Sequence, residues 1–490
     1  MKKRIFSAVI LLMSGIPLFA QYISDIHVTT DVRLGTGDVS PFWFNVNQHG
    51  LGSLHPNSAY VLAGVNRDWD TSRRFDYAWG LDLAGGYNLD ANVIVQQAYV
   101  DLKYRSLFLS LGSKERTGLF RNPLLSTGGT LWSGNARPIP QIRAGFYDWV
   151  RPFRANWFAL KGDISYGWFT DQRFQKNFIN KANGMYVKDV VYHHKYIAFQ
   201  FGNDETRLKV EAAYEMDQQF GGKQVYYKDG EIEKTVQIPS KLKDYVRAFF
   251  PLGGSSDDLE TNSQYYQGNY VGEWQVNLHY KINDRHRLRA GFENFWEDAS
   301  AMGFQNRMDG LWSLEYARSE PALISGALIE YFQSTDQSGP IHWCPSFTEQ
   351  DTNIKYEAYG ADGYYGHSVY NSWSHWGQHI GNPLIPSPVY NKNGLLSSFC
   401  NRVKSWNIGV NGQVTPEWQH RILLTHMRGW GTYERRFKNV EKNLSGLIEV
   451  TYLPKWQPRL SFKLATAFNT GNLYGGKAWG TRLAVTYKLW

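Results

Sequence analysis

Hydrophobic and polar residues alternate along the last stretch of the chain, from Thr481 to Trp490. The apolar phase holds Leu483, Val485, Tyr487 and Leu489, and the other phase holds Arg482, Ala484, Thr486 and Lys488. A period of two predicts a β-strand with one apolar and one polar face. Such a strand needs an apolar surrounding on one side and water on the other, and a closed barrel in a membrane provides both.

The same alternation recurs along the chain and predicts seventeen further strands. They run approximately over residues 26–34, 59–66, 75–84, 97–104, 107–112, 139–148, 157–168, 196–202, 207–216, 270–282, 287–296, 311–317, 322–332, 405–414, 420–428, 446–453 and 459–468. The chain is therefore predicted to be all-β, a transmembrane antiparallel β-barrel of about 18 strands.

The connections between these strands alternate in length. Each one that follows an even-numbered strand is short, whereas those that follow odd-numbered strands are longer and include large loops at about 113–138, 169–195, 217–269 and 333–404. Outer-membrane barrels have short periplasmic turns and long extracellular loops. Because a barrel of this width encloses an aqueous lumen unless something fills it, we expect the long extracellular loops to fold inward and occlude the lumen.

The first twenty residues have the pattern of a secretory signal. Lys2, Lys3 and Arg4 precede an apolar run that ends at Phe19, and the small residue Ala20 follows. We expect cleavage after about Ala20, which leaves residues 21–490 as a single outer-membrane barrel domain. Beyond residue 20 the sequence has no apolar run of about 18 residues, so no helical membrane span is expected.

Composition narrows the class of protein. Aromatic residues make up 16% of the chain, with 19 Trp and 31 Tyr, and there are 46 Gly. Barrels with aromatic girdles use these residues in this way, although a large secreted carbohydrate-binding protein could do the same. The formal net charge of +8 is too small to indicate a nucleic-acid partner.

The chain has two cysteines, Cys344 and Cys400. Both lie downstream of an export signal, where a disulfide is chemically permitted. A disulfide across a loop of this size would contribute roughly 4 kcal/mol. The alternative is a pair of free, buried thiols.

Polar residues share one face of several predicted strands. Examples are Gln97, Tyr99, Asp101 and Lys103, and likewise Glu273, Gln275, Asn277, His279 and Lys281. This pattern predicts a solvated, salt-bridged lumen wall. A charge-selective permeation path is the alternative interpretation.

Two loop segments carry candidate chemistry. Residues 125–148 are rich in Gly, Ser and Pro but lack the lysine and the spacing of a phosphate-binding loop. In this segment Trp132 is a candidate sugar contact, and Arg137 is a candidate anion or sugar contact, unless Arg137 serves the chemistry of the turn.

The second segment, residues 364–388, mixes aromatic rings with imidazole, amide and hydroxyl groups. Aromatic rings stack on the apolar faces of pyranose rings, and the polar groups bond the sugar hydroxyls. The candidate contacts are Tyr364, Tyr365, Trp373, His375, Trp376, His379 and Asn382. The alternative is that these side chains pack the loop against the barrel wall.

Signatures of metal or enzyme sites are weak. His375 and His379 could share a metal on a helix, but Gly377 disfavours a helix there and no carboxylate is adjacent. There is no G-x-S-x-G and no H-E-x-x-H. Clustered carboxylates at Asp257, Asp258 and Glu260 could serve glycoside hydrolysis, but acids in a polar loop are usually just solvated. We expect neither a cofactor nor enzymatic activity.

Three segments resemble the Wzi capsule-assembly family of outer-membrane proteins. They are GGTLWSGNARPIPQI (Gly128–Ile142), HHKYIAFQFG (His193–Gly202) and SWSHWGQHIGNPLIPSP (Ser372–Pro388). The resemblance implies an occluded eighteen-stranded barrel that anchors extracellular polysaccharide as a lectin does, with a helical plug at the periplasmic end. The predicted periplasmic connections are too short for such a plug, so either the strand boundaries differ or an inward loop such as Asp171–Gly184 supplies it.

The sequence thus predicts a non-enzymatic surface protein that attaches or helps assemble capsular or other extracellular polysaccharide. Its expected partners are this polymer, outer-membrane lipid and other polysaccharide-export components. An outer-membrane channel for oligosaccharides or other small solutes is the main alternative. An enzyme that cuts or modifies glycans is a third.

Overall fold

The computed structural model describes residues 23–152, 155–250, 268–297, 299–337 and 363–489. The predicted leader Met1–Ala20, the cysteine Cys344 and the acidic group Asp257, Asp258 and Glu260 lie outside these ranges. None of the helices in the described ranges is long and apolar enough to cross a membrane.

Eighteen antiparallel strands form the wall of a closed barrel, one for each predicted strand. In chain order they are β1 Asp25–Gly37, β2 Ser58–Arg67, β3 Phe75–Tyr87, β4 Val93–Tyr104, β5 Leu107–Ser113, β6 Gln141–Phe146, β7 Phe158–Trp168, β8 Val191–Phe201, β9 Leu208–Phe220, β10 Asn269–Lys281, β11 His286–Trp296, β12 Gly310–Arg318, β13 Gly326–Gln333, β14 Val403–Thr415, β15 Trp418–Gly431, β16 Arg436–Tyr452, β17 Leu460–Asn469 and β18 Ala478–Lys488.

The last strand closes the barrel on the first. Strand β1 pairs with β2 on one side and with β18 on the other, with Val32 opposite Leu483. On the lumen side of this seam, Asp31 accepts hydrogen bonds from Arg33 Nε at 2.9 Å and from Arg482 Nε at 2.6 Å. Closure leaves neither terminal strand with an unpaired edge.

Apolar side chains form a belt around the outside of the barrel. Its members are exposed in the described structure and lie on the outward phase of their strands: Leu81, Leu83, Val100, Leu102, Ile197, Leu208, Val276, Leu278, Leu314, Ile329, Ile408, Ile422, Leu424, Ile448, Leu464 and Leu483. A surface of this kind is stable in lipid rather than in water. The belt therefore identifies the wall as the membrane-spanning part of the protein.

Several strands extend beyond their predicted bounds. Strand β8 begins at Val191 rather than near Tyr196, and β16 begins at Arg436 rather than near Gly446. Most of the added residues are polar or aromatic, and only Val191, Val440 and Leu444 are aliphatic, so these stretches lack the regular alternation from which strands are predicted. Strand β13, by contrast, begins at Gly326, four residues later than predicted.

Within the described ranges, four short α-helices, a 3-10 helix at Pro388–Tyr390 and several loop hairpins lie outside the wall strands. The α-helices are α1 Phe42–Asn45, α2 Gln172–Phe178, α3 Leu242–Phe249 and α4 Ala299–Met302. Met185–Lys188, Gly222–Lys228 and Glu231–Ile238 form a three-stranded sheet in the long loops. Two small hairpins pair Gly366–His367 with Asn371–Ser372, and Ser374–His375 with Gln378–His379.

Two long loops fold into the lumen. We call residues 114–140 the plug segment and residues 363–402 the inner loop. Buried apolar side chains of both pack together and against the wall, and the cluster includes Leu125, Leu131, Ile139, Tyr364, Tyr365, Trp373, Val271, Leu311 and Leu423. The hydrophobic core thus lies inside the barrel, as the expectation of inward-folding loops requires.

The plug segment reaches down to the end of the barrel that carries the short turns. Asn122 Nδ2 donates to Glu315 at 2.9 Å, and Arg421 donates to the Leu124 carbonyl at 3.1 Å. Glu315 and Arg421 each lie three residues from the short-turn end of their strands. Asp171–Gly184, offered above as the inward loop, instead contributes α2 at the long-loop end, so that suggestion was wrong.

Candidate functional site

Carboxylates on the lumen wall hold the backbone of the plug segment. Glu330 of β13 accepts hydrogen bonds from Ser126 Oγ at 2.6 Å and from Thr127 N at 2.9 Å. The same carboxylate accepts one from Asn407 Nδ2 at 3.1 Å. A chain crossing the interior must satisfy its backbone N–H groups, and charge-assisted bonds to carboxylates are stronger than neutral ones.

Two more wall carboxylates accept hydrogen bonds from the next part of the plug segment. Glu293 accepts from Thr130 N at 2.8 Å and pairs with Arg121 Nε at 2.6 Å. Glu273 accepts from Leu131 N at 3.1 Å and from the Thr130 hydroxyl. Glu273 was predicted to line the lumen because it lies on the polar face of its strand, and the structure confirms that placement. Its partner in the plug segment could not be read from the sequence.

Several predicted site residues hydrogen-bond the inner loop to the plug segment. Tyr365 donates its hydroxyl to the Thr130 carbonyl and accepts from Asn382 N at 2.8 Å. Asn382 Nδ2 donates to the Gly128 carbonyl at 2.7 Å, and Trp373 Nε1 donates to the Leu131 carbonyl at 2.9 Å. These bonds join two loops that lie far apart in sequence into one unit.

The other candidates are also placed inside this unit. Tyr364 accepts a hydrogen bond from Asn306 Nδ2 at 2.9 Å, and Trp132 packs on Tyr192. Eight of the nine predicted contacts are buried; they are Tyr364, Tyr365, Trp373, His375, His379, Asn382, Trp132 and Arg137. The ninth, Trp376, is partly exposed. A direct role of the buried residues in sugar binding stays a prediction.

The two histidines each have their own partners. His375 Nδ1 lies 2.9 Å from the Arg137 carbonyl, and its Nε2 accepts from Thr170 N at 3.2 Å. His379 Nδ1 lies 3.3 Å from the Trp373 carbonyl. Burial lowers the pKa of His375 and lowers that of His379 to about 4, since an imidazolium is poorly solvated there. Both rings are therefore neutral at pH 7.

A tight turn presents the Trp376 side chain. Trp376 and Gly377 have φ values of 53° and 73° between the paired segments Ser374–His375 and Gln378–His379. Two successive positive φ angles define a type I′ hairpin turn. A Cβ at position 377 would meet the Phe174 ring at 2.3 Å, so glycine is required by space as well as by conformation.

Five residues surround the tip of this turn, and we call them the mouth cluster. The Arg137 guanidinium lies 4.2 Å from the Trp376 ring centre, and Arg137 Nη2 lies 3.3 Å from an Asp90 oxygen. Asp171 accepts a hydrogen bond from Trp376 N at 3.2 Å, and the Phe174 ring is 6.4 Å away. Asp90 belongs to the connection between β3 and β4, which places the cluster at the long-loop end.

The mouth cluster combines an aromatic ring, a cation and a partly exposed carboxylate. Cation–π contact over one face holds the ring of Trp376 in place. An aromatic ring beside charged hydrogen-bonding groups is suited to a sugar ring, which has an apolar face and a rim of hydroxyls. The sequence pointed to Arg137 and Trp376 separately, and the structure brings them together. Asp90, Asp171 and Phe174 were missed because their contacts are with distant segments.

A separate group of buried charges lies in the wall. His194 Nδ1 is 2.6 Å from Asp217 and 3.7 Å from Glu215, while His194 Nε2 is 3.3 Å from Asp163. An imidazole with carboxylates at such spacing is a donor set that divalent metal ions accept. Arg143 pairs with Asp163, so the arrangement also balances much of its own charge without an ion.

Comparison with known proteins identifies the fold. No protein-family model and no curated protein sequence matches the chain. The solved structure of Wzi from Escherichia coli, described as an outer-membrane protein involved in group 1 capsule assembly and a carbohydrate-binding β-barrel, matches with a TM-score of 0.55 and 11% identity, over 98% of this chain and 87% of that one.

Two other solved structures match more weakly. OprD from Pseudomonas aeruginosa has a TM-score of 0.46 and 12% identity over 95% of this chain and 93% of that one. OccAB2 from Acinetobacter baumannii has a TM-score of 0.46 and 10% identity over 95% and 97%. At 11% identity, the likeness to the Wzi structure establishes an outer-membrane β-barrel fold and leaves the specific role open.

Proposed function

We propose that this protein is a non-enzymatic, lectin-like outer-membrane barrel that attaches or helps assemble capsular or other extracellular polysaccharide at the cell surface. The observation that carries this proposal is the mouth cluster, a fixed Trp376–Arg137 pair at the long-loop end, above a lumen occupied by two inward loops. The shared fold with Wzi, itself described as carbohydrate-binding, supports the proposal.

In this proposal few residues contact the sugar, and many others hold those residues in position. A pyranose ring stacks on the accessible part of Trp376, while the exposed carboxylate of Asp90 accepts hydrogen bonds from its hydroxyls. Arg137, which is largely buried, holds the Trp376 ring and the Asp90 carboxylate in place. The buried residues, such as Trp373 and Asn382, hold the turn in position and need not contact the polymer. Many weak contacts along a repeating polymer give strong retention overall.

Replacing Trp376 with Ala tests this proposal. We expect purified Trp376→Ala protein to bind surface polysaccharide from the same cells more weakly, and cells carrying it to retain less polymer. Trp456, 72% exposed in a short turn at the opposite end, supplies the matched control Trp456→Ala, which should bind as the wild type does. Equal binding by Trp376→Ala and wild type would refute the assignment of the mouth cluster.

A channel for small solutes is the second candidate, and one observation favours it. Two cavities of about 240 and 530 Å³ lie between the wall and the plug segment at the short-turn end. They would shorten a path through the lumen if the plug segment moved. Single-channel conductance of the purified protein separates this function from that of a plugged barrel.

A further inference from the structure

The smaller cavity lies at the end of the barrel opposite the mouth cluster. It has a volume of about 240 Å³ between the plug segment and strands β4 to β8. Trp69 and Tyr147 line it from the short turns, Lys114 and Arg116 from the plug segment, and Lys161 from β7. Because short turns face the periplasm in outer-membrane barrels, the cavity belongs to the periplasmic half of the protein.

Four cationic and three carboxylate side chains line this cavity, so it carries a small excess of positive charge. One of the carboxylates, Glu115, accepts a hydrogen bond from Gln96 at 2.6 Å and lies 3.9 Å from His49. Lys114 pairs with Asp101 at 2.6 Å, and Arg143 pairs with Asp163. Among the residues that the structure describes, no carboxylate lies within 4 Å of the charged nitrogens of Arg116 or Lys161.

The surroundings of Arg116 strengthen this imbalance. Burial, together with the nearby positive charge of Arg143, lowers the pKa of Arg116 to about 10, and the guanidinium still remains charged at pH 7. The Arg116 guanidinium lies 5.3 Å from the Trp132 ring centre, so an aromatic face rather than an anion is its close neighbour. A partly buried cation with no carboxylate in direct contact favours the binding of an anion.

Aromatic rings and cavity size narrow the class of anion. The rings of Trp69 and Tyr147 lie 5.4 Å apart at the rim, where they offer apolar surface to a flat ligand. A volume of about 240 Å³ equals about eight water molecules at roughly 30 Å³ each, which is the scale of one sugar ring. Aromatic surface beside cations is suited to a sugar that carries a carboxylate.

We propose that this cavity binds a single hexuronic acid unit, with its carboxylate on Arg116 and Lys161 and its ring against Trp69. The inference rests on the proposed function only for the class of ligand, a sugar. It adds a second binding site on the periplasmic side and specifies that the sugar is acidic. A polymer containing such units would be recognised at both ends of the barrel.

Titration of the purified, detergent-solubilised full-length protein with D-glucuronate tests the proposal. We expect D-glucuronate to bind, D-glucose to bind at least tenfold more weakly, and inorganic phosphate to bind no better than D-glucose. Binding of phosphate as tight as that of D-glucuronate would identify a general anion site and overturn the sugar assignment.

Variants locate the site. Arg116→Gln and Lys161→Gln should each weaken D-glucuronate binding at least tenfold, and Arg116→Lys should retain part of it. Lys176→Gln, an exposed position on α2 at the other end, should bind as the wild type does. Unchanged affinity in both Gln variants, with folding verified by heat-modifiable migration in gels, would contradict the proposal.

The mouth cluster and the periplasmic cavity can be tested independently. Trp376→Ala should leave the Arg116-dependent part of D-glucuronate binding unchanged, because the mouth cluster lies at the opposite end. Conversely, Arg116→Gln should leave polymer binding at the mouth measurable. Loss of D-glucuronate binding in Trp376→Ala would overturn the assignment to the periplasmic cavity.

Discussion

The guanidinium of Arg137 lies 4.2 Å from the centre of the Trp376 ring. One residue comes from the plug segment and the other from the inner loop, so this contact forms where the two inward loops meet at the mouth. Stacking of this kind contributes about 0.5 to 2 kcal/mol, depending on solvent exposure. It holds the partly exposed Trp376 side chain at the long-loop end of the barrel.

The two tryptophans of the inner loop should behave differently when truncated. Trp376→Ala should lower polymer affinity about two- to tenfold per site, since an aromatic contact contributes about 0.5 to 1.5 kcal/mol, and should destabilise the protein by only about 0.5 to 2 kcal/mol through loss of the contact with Arg137. Trp373 is fully buried, so Trp373→Ala should destabilise the protein by about 3 to 5 kcal/mol. Thermal unfolding and polymer binding of both variants check this. Equal destabilisation by both would contradict the partly exposed position of Trp376.

The plug segment should loosen when its carboxylate anchors are removed. Glu330→Ala leaves Ser126 Oγ, Thr127 N and Asn407 Nδ2 without their shared acceptor, and each unpaired buried group costs about 1 to 3 kcal/mol. We expect single-channel recordings to show open events more often than in wild type. Glu434→Ala, at an exposed loop position, is the control. Identical recordings from Glu330→Ala and wild type would show that this anchor does not hold the plug.

Closure of the barrel should depend on Asp31. Its carboxylate is fully buried and pairs with both Arg33 and Arg482, so Asp31→Asn leaves buried positive charge uncompensated, at a cost of about 3 to 5 kcal/mol. The apparent unfolding temperature of this variant should fall. Asp25→Asn removes a partly exposed carboxylate, 22% accessible, from the same seam, and should change it much less. A similar effect of both substitutions would contradict the role assigned to burial.

Acid should destabilise the inner loop through His379. The folded pKa is about 4, below the ordinary value of about 6.5, so the unfolded chain takes up a proton first as the pH falls. Stability should decrease by about 1.4 kcal/mol per pH unit between about 6.5 and 4. The drop in unfolding temperature from pH 7.5 to 5 should be smaller in His379→Gln than in wild type. The exposed His55 gives the control, His55→Gln, which should behave as the wild type does.

The barrel itself could be predicted from the sequence. Lipid outside and polar groups inside impose a period of two on each strand, as in β18, where Leu483 faces outward and Arg482 faces the lumen. The period-two alternation is lost where strands extend beyond the lipid. Strand β16 begins ten residues before its predicted start. The prediction missed these residues because Arg436 and its neighbours meet water on the outside, so no apolar face marks them.

The interior could not be predicted in the same way. Ser126 to Thr130 read as a turn-rich loop, and nothing local shows that Glu293 and Glu330 will accept hydrogen bonds from this stretch. The mouth cluster depends likewise on Asp171, whose carboxylate meets Trp376 N only in the folded barrel. Composition did identify the two loops that carry candidate chemistry, but which side chains are accessible depends on packing between them.

The most direct test of the proposed function combines two measurements on one preparation of wild-type protein. Binding of purified, detergent-solubilised protein to surface polysaccharide from the same cells should be detectable, and single-channel conductance should be low. Binding should fall in Trp376→Ala and not in Trp456→Ala. High steady conductance without polymer binding would contradict the lectin-like function and favour the channel.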